Sequence, residues 1–278
     1  MKILIIGLGL IGGSLAKAFK KFTNEKVYGI NRTKSKTEMA LKDGSIDAEG
    51  KLENEDYDII WLCQYKTALE NWVKEYVPKL KKGTILADVC GLKGDMTERI
   101  TDYCNSYGIK YVGTHPMAGK EVSGYINSES DLFCNSNFII TPTKGTDKQA
   151  CELVAQLAKQ IGCKKIVYCN PKKHDSMIAY VSQLPHIIAS SLMNCSDSVE
   201  AGDFSGGSFR DATRVATIDS EMWQELFCDN KAELLERITE FSQKIDEFKK
   251  SIESDDVSKL IELMDNGSRN KELELKRF

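Results

Sequence analysis

The chain has 278 residues, of which 41% are hydrophobic and 28% are charged, and its formal net charge at neutral pH is -3. Single domains commonly hold roughly 100 to 150 residues, so this length favours two domains, and the composition is that of a globular protein with a buried core. No block of basic residues occurs, which argues against nucleic acid and anionic membrane surfaces as partners. A small molecule is the expected partner.

Targeting and metal-binding patterns are absent from the sequence. The first apolar run starts at Lys2, and no apolar run approaches the roughly 18 to 20 residues of a membrane span. Nine cysteines stand at irregular spacings without a C-x-x-C or zinc-ligand pattern. We expect a cytoplasmic protein with reduced cysteines and no bound metal.

Short apolar runs alternate with helical patterns through the first part of the chain. This alternation predicts a parallel, doubly wound α/β sheet of Rossmann-like type. The expected strands are 2–6, 26–30, 58–62, 83–89 and 110–115, and two later runs at 137–142 and 164–169 flank a helix at about 147–160. We expect these two later runs to extend the same sheet.

After residue 169 the strand pattern stops and helical patterns continue to the end. The sequence therefore predicts a dinucleotide-binding domain at 1–169 and an all-α domain at 170–278. Pro185 should kink or break its helix. From Leu234 to Ile252 apolar residues recur at spacings of four and three, a seam typical of a helix that packs on another helix within the chain or across a dimer. The polar tail from 266 is expected to fray.

A glycine pattern follows the first predicted strand. Gly7, Gly9 and Gly12 fit G-x-G-x-x-G between a strand and a helix, the context in which this pattern binds a dinucleotide. The first glycine permits the turn, the second lets the pyrophosphate approach the backbone, and the third lets helix and strand pack closely. The expected cofactor contacts include the residues between them, Leu8, Leu10 and Ile11.

The end of the second predicted strand bears on the choice of cofactor. An acidic residue there binds the adenosine ribose hydroxyls of NAD and repels a 2′-phosphate. This chain has Asn31, Arg32 and Thr33, followed by Lys34. The pattern favours NADP, with NAD as the alternative if Arg32 and Lys34 are merely solvent-facing loop residues.

His115 ends the fifth predicted strand, in "GTHPMAGKEVSG". Ligands bind outside the carboxyl ends of strands in such sheets, and a neutral imidazole there can accept a proton at physiological pH. A proton acceptor beside a nicotinamide suggests oxidation of an alcohol.

Two arginines in "GGSFRDATRVA" follow a pair of glycines. Arg210 and Arg214 would share one helix face if the stretch is helical, and a guanidinium binds a carboxylate through two hydrogen bonds. A surface salt bridge with Asp211, or a helix cap, is the other interpretation.

Four motifs in order, "GLGLIGGSLAKA", "THPMAGKEVSG", "KKHDSMIAYVSQLPHIIA" and "GGSFRDATRVA", resemble those of the prephenate and arogenate dehydrogenases of tyrosine biosynthesis, from Gly7 to about Ala216. The resemblance implies a helical domain that forms a homodimer, an active site between the domains, and oxidative decarboxylation of a cyclohexadienol with hydride transfer to NAD(P). It implies His115 as the catalytic base and Arg210 as the substrate carboxylate ligand. It places His186 at the substrate pocket and His174 at the start of the interdomain helix, where packing or capping is the alternative for both.

Two positions depart from the family pattern. In "DVCGLKG", Gly91 stands where relatives often have a serine, and Cys90 precedes it, so both are expected beside the cofactor. A water or a backbone N–H would replace the missing hydroxyl, or activity is lost. Gln183 stands where many relatives have a histidine, which leaves the choice between prephenate and arogenate open.

Lys120 and Glu121 follow the HPMAG motif directly. They are expected either to face the substrate or to be solvated loop charges. A full C-terminal regulatory domain is not expected in the length that remains.

Two other functions compete with this hypothesis. A hydroxyacid dehydrogenase of the same architecture would leave the "HPMAG" and "GGSFRD" motifs without a role. A nucleotide-sensing protein without activity would explain Gly91, but it needs neither a base nor a carboxylate ligand.

Overall fold

A computed structural model of the chain describes residues 1–53, 56–120, 122–197 and 199–277. Its N-terminal region contains a six-stranded sheet in which every pair of strands is parallel. The strands are β1 (Lys2–Ile6), β2 (Lys26–Ile30), β3 (Ala48–Glu49), β4 (Ile59–Leu62), β5 (Ile85–Asp88) and β6 (Lys110–Val112), in the spatial order β3-β2-β1-β4-β5-β6. The strand order reverses between β1 and β4, which creates the crevice where such sheets bind ligands. The predicted Rossmann-like class is confirmed.

Helices cover both faces of this sheet. They are α1 (Leu10–Phe22), α2 (Lys34–Lys42), α3 (Lys66–Tyr76), α4 (Met96–Ser106) and α5 (Lys148–Gln160). Alternate residues of β1 enter different cores: Ile3 and Ile5 pack with residues of α1 and α5, and Leu4 and Ile6 pack with residues of α3 and α4. A strand buried on both faces reads as a continuous apolar run, which is why β1 was evident from sequence.

The two later strands do not extend this sheet, so that expectation is wrong. The chain leaves β6 at Gly113 and forms a second sheet from β7 (Thr114–Pro116), β8 (Asn137–Ile140) and β9 (Lys165–Tyr168), in which β7 and β8 are antiparallel. A Cβ atom at Gly113 would lie 2.6 Å from the Thr141 hydroxyl oxygen, so only glycine fits this crossing. The run predicted as one strand at 110–115 is therefore two strands, and His115 lies in the middle of the second.

The regular elements of the described chain after β9 are all helical. They are α6 (Pro171–Ile178), α7 (Leu184–Met193), α8 (Ala201–Phe204), α9 (Gly207–Thr213), α10 (Ser220–Asp229), α11 (Lys231–Glu253) and α12 (Val257–Leu275). The kink or break expected at Pro185 takes the form of a π-helical turn at Ala179–Gln183, which joins α6 to α7 through residues with helical backbone angles. The division at residue 169 remains a prediction, although β9 ends at Tyr168 and α6 begins at Pro171.

The C-terminal tail is more ordered than its polarity suggested. The expected fraying from 266 is wrong, since α12 continues to Leu275. The Asp256 carboxylate caps this helix by accepting from the Lys259 N–H at 2.9 Å, and the tail is rich in good helix formers. Among the described residues, no helix is both long and apolar enough to cross a membrane.

The loop that follows His115 is attached to α1. The Tyr125 hydroxyl lies 2.8 Å from an Asp43 carboxylate oxygen, and the Glu129 N–H donates to the Ser14 hydroxyl at 3.0 Å. A Cβ atom on Gly13 would lie 2.7 Å from the Tyr125 ring, so the glycine lets the loop approach the helix closely. These contacts attach the segment that follows the HPMAG motif to α1 and to the end of α2.

Candidate active site

The glycine turn leaves one open approach to the backbone. Gly7 has φ +97°, and a Cβ atom there would lie 2.5 Å from the Cys63 carbonyl oxygen. A Cβ atom on Gly12 would lie 1.9 Å from the Gly7 carbonyl oxygen, whereas one on Gly9 would meet no atom within 4 Å. Gly9 precedes the first residue of α1 and no side chain caps that helix. Free N–H groups and open space at a helix N-terminus suit a pyrophosphate.

Asn31 connects the end of β2 to the glycine turn. Its side-chain oxygen accepts from the Leu8 N–H at 2.9 Å, and its amide nitrogen donates to the Thr33 carbonyl at 3.1 Å. The amide therefore has a structural role and places no negative charge where a ribose would bind. Arg32, Thr33 and Lys34 are exposed beside it.

His115 contacts a second histidine from the helical region. Its Nδ1 lies 2.9 Å from Nε2 of His174, and Nδ1 of His174 lies 2.6 Å from the carboxylate of Asp175. The His115 ring is partly exposed in β7, whereas His174 in α6 is 1% exposed. The structure thus brings together two of the three histidines of the chain, one from each region.

Both imidazoles are held in the neutral form. Burial lowers the pKa of His115 well below its usual value, and the neighbouring His174 and Lys93 lower it further. Burial also lowers the pKa of His174, against the opposing effect of its hydrogen bond to Asp175. A neutral imidazole that faces a ligand site can accept a proton at physiological pH.

A buried ion pair beneath the histidines was missed by sequence reasoning. The Lys93 ammonium lies 2.5 Å from the Asp88 carboxylate, and both side chains are fully buried. Asp88 also accepts from the Thr114 N–H at 2.9 Å and the Cys90 N–H at 3.0 Å. The pair joins the carboxyl end of β5 to the strand that carries His115. The sequence signal that could have revealed this ion pair is an aspartate at the end of a predicted strand with a lysine five residues later, in "DVCGLKG".

Gly91 lies close to α10 of the helical region, with room for a small side chain. A Cβ atom there would meet only the Leu226 side chain, at 3.7 Å. Cys90 points inward, with its sulfur 3.5 Å from the Gln64 carbonyl oxygen. Burial raises the pKa of the Cys90 thiol far above its usual value, and a buried thiol of this kind is a poor nucleophile.

The expected substrate residues of the helical region lie on neighbouring helices. Nδ1 of His186 in α7 lies 2.8 Å from the Ser182 carbonyl oxygen, and the centroids of the His186 and Trp223 rings are 3.8 Å apart. Because that carbonyl is an acceptor, Nδ1 carries the proton. Arg210 is exposed in α9, which packs against α7. Arg214 lies beyond the end of α9 in a 3₁₀ turn, so the two arginines do not share a regular α-helical face. The sequence patterns did not single out Trp223.

The remaining predicted substrate residues have different surroundings. Gln183 is 1% exposed, its amide nitrogen donates to the Leu226 carbonyl at 2.9 Å, and its oxygen accepts from Asn230 at 2.8 Å. These partners connect α10 and α11 to the π-helical turn and leave the amide little freedom to reach a ligand. Lys120 is exposed and pairs with Glu129 at 2.5 Å. Glu121 lies outside the described residues.

A glycine turn opening a Rossmann-like sheet, with a neutral histidine held beneath a helical region, defines a nucleotide-binding dehydrogenase. Comparisons with known proteins agree. Models for the prephenate dehydrogenase nucleotide-binding domain and dimerization domain match residues 15–167 and 170–266. The chain belongs to the prephenate dehydrogenase family.

Individual relatives cover nearly the whole chain. The prephenate dehydrogenase of Bacillus subtilis is 32% identical over 271 residues, which is 93% of this chain and 72% of that protein. The crystal structure of prephenate dehydrogenase from Aquifex aeolicus with hydroxyphenyl propionate and NAD+ is 28% identical, with a TM-score of 0.85 and coverage of 100% of this chain and 97% of that one. Arogenate dehydrogenase from Synechocystis is also 28% identical, with a TM-score of 0.82 and coverage of 98% and 99%.

The buried ion pair leads to a stability prediction. Lys93→Met should lower the free energy of unfolding by about 3 to 5 kcal/mol, because it leaves the Asp88 carboxylate buried without its counter-ion. Urea denaturation measures the change. The double variant Lys93→Met/Asp88→Asn should recover part of the loss.

Lys66→Met is the matched control for this prediction. It breaks the Lys66–Asp229 ion pair, which is 2.7 Å long but partly exposed, and should cost about 0 to 1 kcal/mol. If both lysine variants lost the same free energy of unfolding, burial of the Asp88–Lys93 pair would not explain its contribution to stability.

Proposed function

We propose that the chain is a prephenate dehydrogenase, which converts prephenate to 4-hydroxyphenylpyruvate by oxidative decarboxylation. The observation that carries this proposal is the neutral imidazole of His115, held beside the loop that contains Gly91 in a chain of this family. In the reaction, His115 takes the proton of the ring hydroxyl while the carbon that bears it loses a hydride. The ring carboxylate leaves as carbon dioxide and the ring becomes aromatic. A bound nicotinamide supplies the hydride acceptor.

Residues of the helical region are proposed to bind the charged groups of the substrate. Arg210 presents an exposed guanidinium on α9, and a guanidinium can bind a carboxylate through two parallel hydrogen bonds. His186 sits on the adjacent α7 with its ring held by Trp223 and its Nδ1–H by the Ser182 carbonyl. Its Nε2 is the ring nitrogen left to contact the substrate. We assign His186 to the substrate pocket and Arg210 to a substrate carboxylate.

NADP is the proposed cofactor. Asn31 replaces the acidic residue that would repel a 2′-phosphate, and Arg32 and Lys34 are exposed at the same edge. The open face of Gly9 and the uncapped start of α1 suit the pyrophosphate that NAD and NADP share.

A homodimer through the helical region is also proposed. The matched dimerization model covers 170–266, and the apolar seam of α11 is only partly covered within the chain: Leu234 is 4% exposed, whereas Ile245 and Ile252 are 51% and 62% exposed. Val199 and Phe204 are about nine-tenths exposed in the same region, at 90% and 89%. Large apolar side chains left exposed together favour a partner surface.

Removal of the base tests the proposed reaction. His115→Asn should lower kcat by about 10²- to 10⁴-fold, because the asparagine amide cannot accept the proton, while the dissociation constant of NADP stays unchanged. Initial rates of reduced-nicotinamide formation with prephenate, and with arogenate in parallel, measure the effect. If the wild-type protein turned over arogenate but not prephenate, arogenate would be the substrate. If His115→Asn kept the wild-type rate, His115 would not be the catalytic base.

The cofactor proposal is tested at Arg32. Arg32→Ala should raise KM for NADP at least about tenfold, which corresponds to losing about 1.4 kcal/mol of binding, and should leave KM for NAD nearly unchanged. Lys42→Ala, at the far end of α2, removes the same charge from an exposed position and serves as the control. Equal effects of Arg32→Ala on both cofactors would contradict recognition of a 2′-phosphate.

The dimer is tested by sedimentation velocity. The wild-type protein should sediment at twice the mass of one chain, and Ile252→Asp should shift it toward the monomer because a carboxylate would be buried at the interface. Leu41→Asp places the same charge at a 40% exposed position of α2 and should leave the dimer intact. A wild-type monomer at micromolar concentration would contradict the proposal.

A further inference from the structure

Three side chains form a continuous row from the ligand crevice into the helical region. His115 lies at the crevice in β7, His174 is next in α6, and Asp175 follows. The two contacts, 2.9 Å and 2.6 Å, are both within hydrogen-bond distance. The row crosses from the N-terminal region to the helical region.

The hydrogen bonds of Asp175 determine which atom donates and which accepts in each contact of this row. Its two carboxylate oxygens accept from the Lys93 N–H at 2.9 Å and from the Gly94 N–H at 2.6 Å. An ionised carboxylate only accepts hydrogen bonds, so Nδ1 of His174 must carry the proton of that contact. In the neutral His174 ring, Nε2 is then an acceptor, and the facing Nδ1 of His115 must donate to it.

One ring nitrogen of His115 is left with a free lone pair. Since Nδ1 carries the proton of the neutral imidazole, Nε2 is unprotonated. A proton acceptor needs this tautomer if the substrate hydroxyl approaches Nε2. The other tautomer would turn the lone pair toward His174 and leave nothing at the crevice to accept a proton.

We propose that His174 and Asp175 act as a positioning pair that holds His115 in the Nδ1-protonated tautomer and stabilises the imidazolium that forms when Nε2 accepts the substrate proton. This inference rests on the proposed function. The proton from the substrate hydroxyl bonds to Nε2 of His115, the hydride leaves with its electron pair for the nicotinamide, and the carboxylate is released as carbon dioxide. His115 then returns the proton to water before the next turnover.

The surrounding charges favour this role. The charged groups that act on the two rings are Lys93 and Asp88 from the β5 edge and Asp175 from α6. Lys93 and Asp88 pair with each other, so the carboxylate of Asp175 is the charge that remains to support an imidazolium. The backbone carbonyl of Asp175 also accepts from the Asn230 amide at 3.0 Å, which fixes α6 against the start of α11.

The first test reads the tautomer directly and does not depend on activity. The chain has three histidines, so nitrogen-15 NMR of the imidazoles can be assigned with the single variants His115→Asn, His174→Phe and His186→Asn. Wild-type His115 should be neutral and protonated at Nδ1 at pH 7. In His174→Phe, which keeps a ring of similar size, and in Asp175→Asn it should become a mixture of tautomers. An Nε2-protonated His115 in the wild type, or an unchanged tautomer in both variants, would overturn the proposal.

The second test follows the pH dependence of kcat/KM. Asp175→Asn should lower kcat by on the order of 10²- to 10⁴-fold, as loss of an orienting carboxylate does for a histidine base, with little change in KM. The base works in its neutral form, so activity falls as pH drops through the pKa of the His115–His174 pair. Removing the negative charge disfavours the imidazolium, so this acid limb should move to lower pH.

His174→Gln supplies the intermediate case. Its side-chain oxygen can still accept from Nδ1 of His115, but it cannot relay the charge of Asp175. It should therefore retain more activity than His174→Phe and less than the wild type. The proposal would be overturned if Asp175→Asn, His174→Phe and His174→Gln all kept the wild-type kcat and the wild-type acid limb. A wild-type protein without turnover would refute the proposed reaction instead, and the NMR result would still decide the tautomer.

Discussion

The site depends on one carboxylate that the fold removes from water. Asp88 closes β5 inside the protein, where an unpaired charge would cost several kcal/mol. Its oxygens are satisfied by the Lys93 ammonium and by the N–H groups of Thr114 and Cys90. Cys90 and Lys93 belong to the loop that follows β5, and Thr114 begins β7, so satisfying one buried charge holds these two segments together.

The same carboxylate explains the course of the chain after β6. Because Asp88 accepts from the Thr114 N–H, β7 is drawn to the end of β5 and cannot continue the line of β6. Gly113 permits the crossing, since a side chain there would collide with Thr141. His115 is thereby carried to the carboxyl edge of the parallel sheet, although it belongs to the smaller second sheet.

The helical region completes what the N-terminal region begins. His174 and Asp175 lie in the middle of α6, and Asp175 accepts from the backbone of the loop that follows β5. Gln183 connects Leu226 to Asn230 behind this helix. The surroundings of the base therefore include residues from segments about 140 positions apart, between Asp88 and Asn230.

The sequence by itself determined the elements whose signal is local. These elements are the apolar run of β1, the glycine turn, the irregular helix ahead of Pro185 and the family motifs. Each was evident because it depends on residues near one another in the chain. The pairing of β7 with β8, the helical tail and the Asp88–Lys93 pair were not. A short apolar run does not specify its partner strand, and a lysine or aspartate is far more often exposed than buried. Only the tertiary structure decided which charged side chains pair in the interior. Because the buried Asp88–Lys93 pair holds the segments around the site, it also decided where His115 and its hydrogen-bonding partners lie.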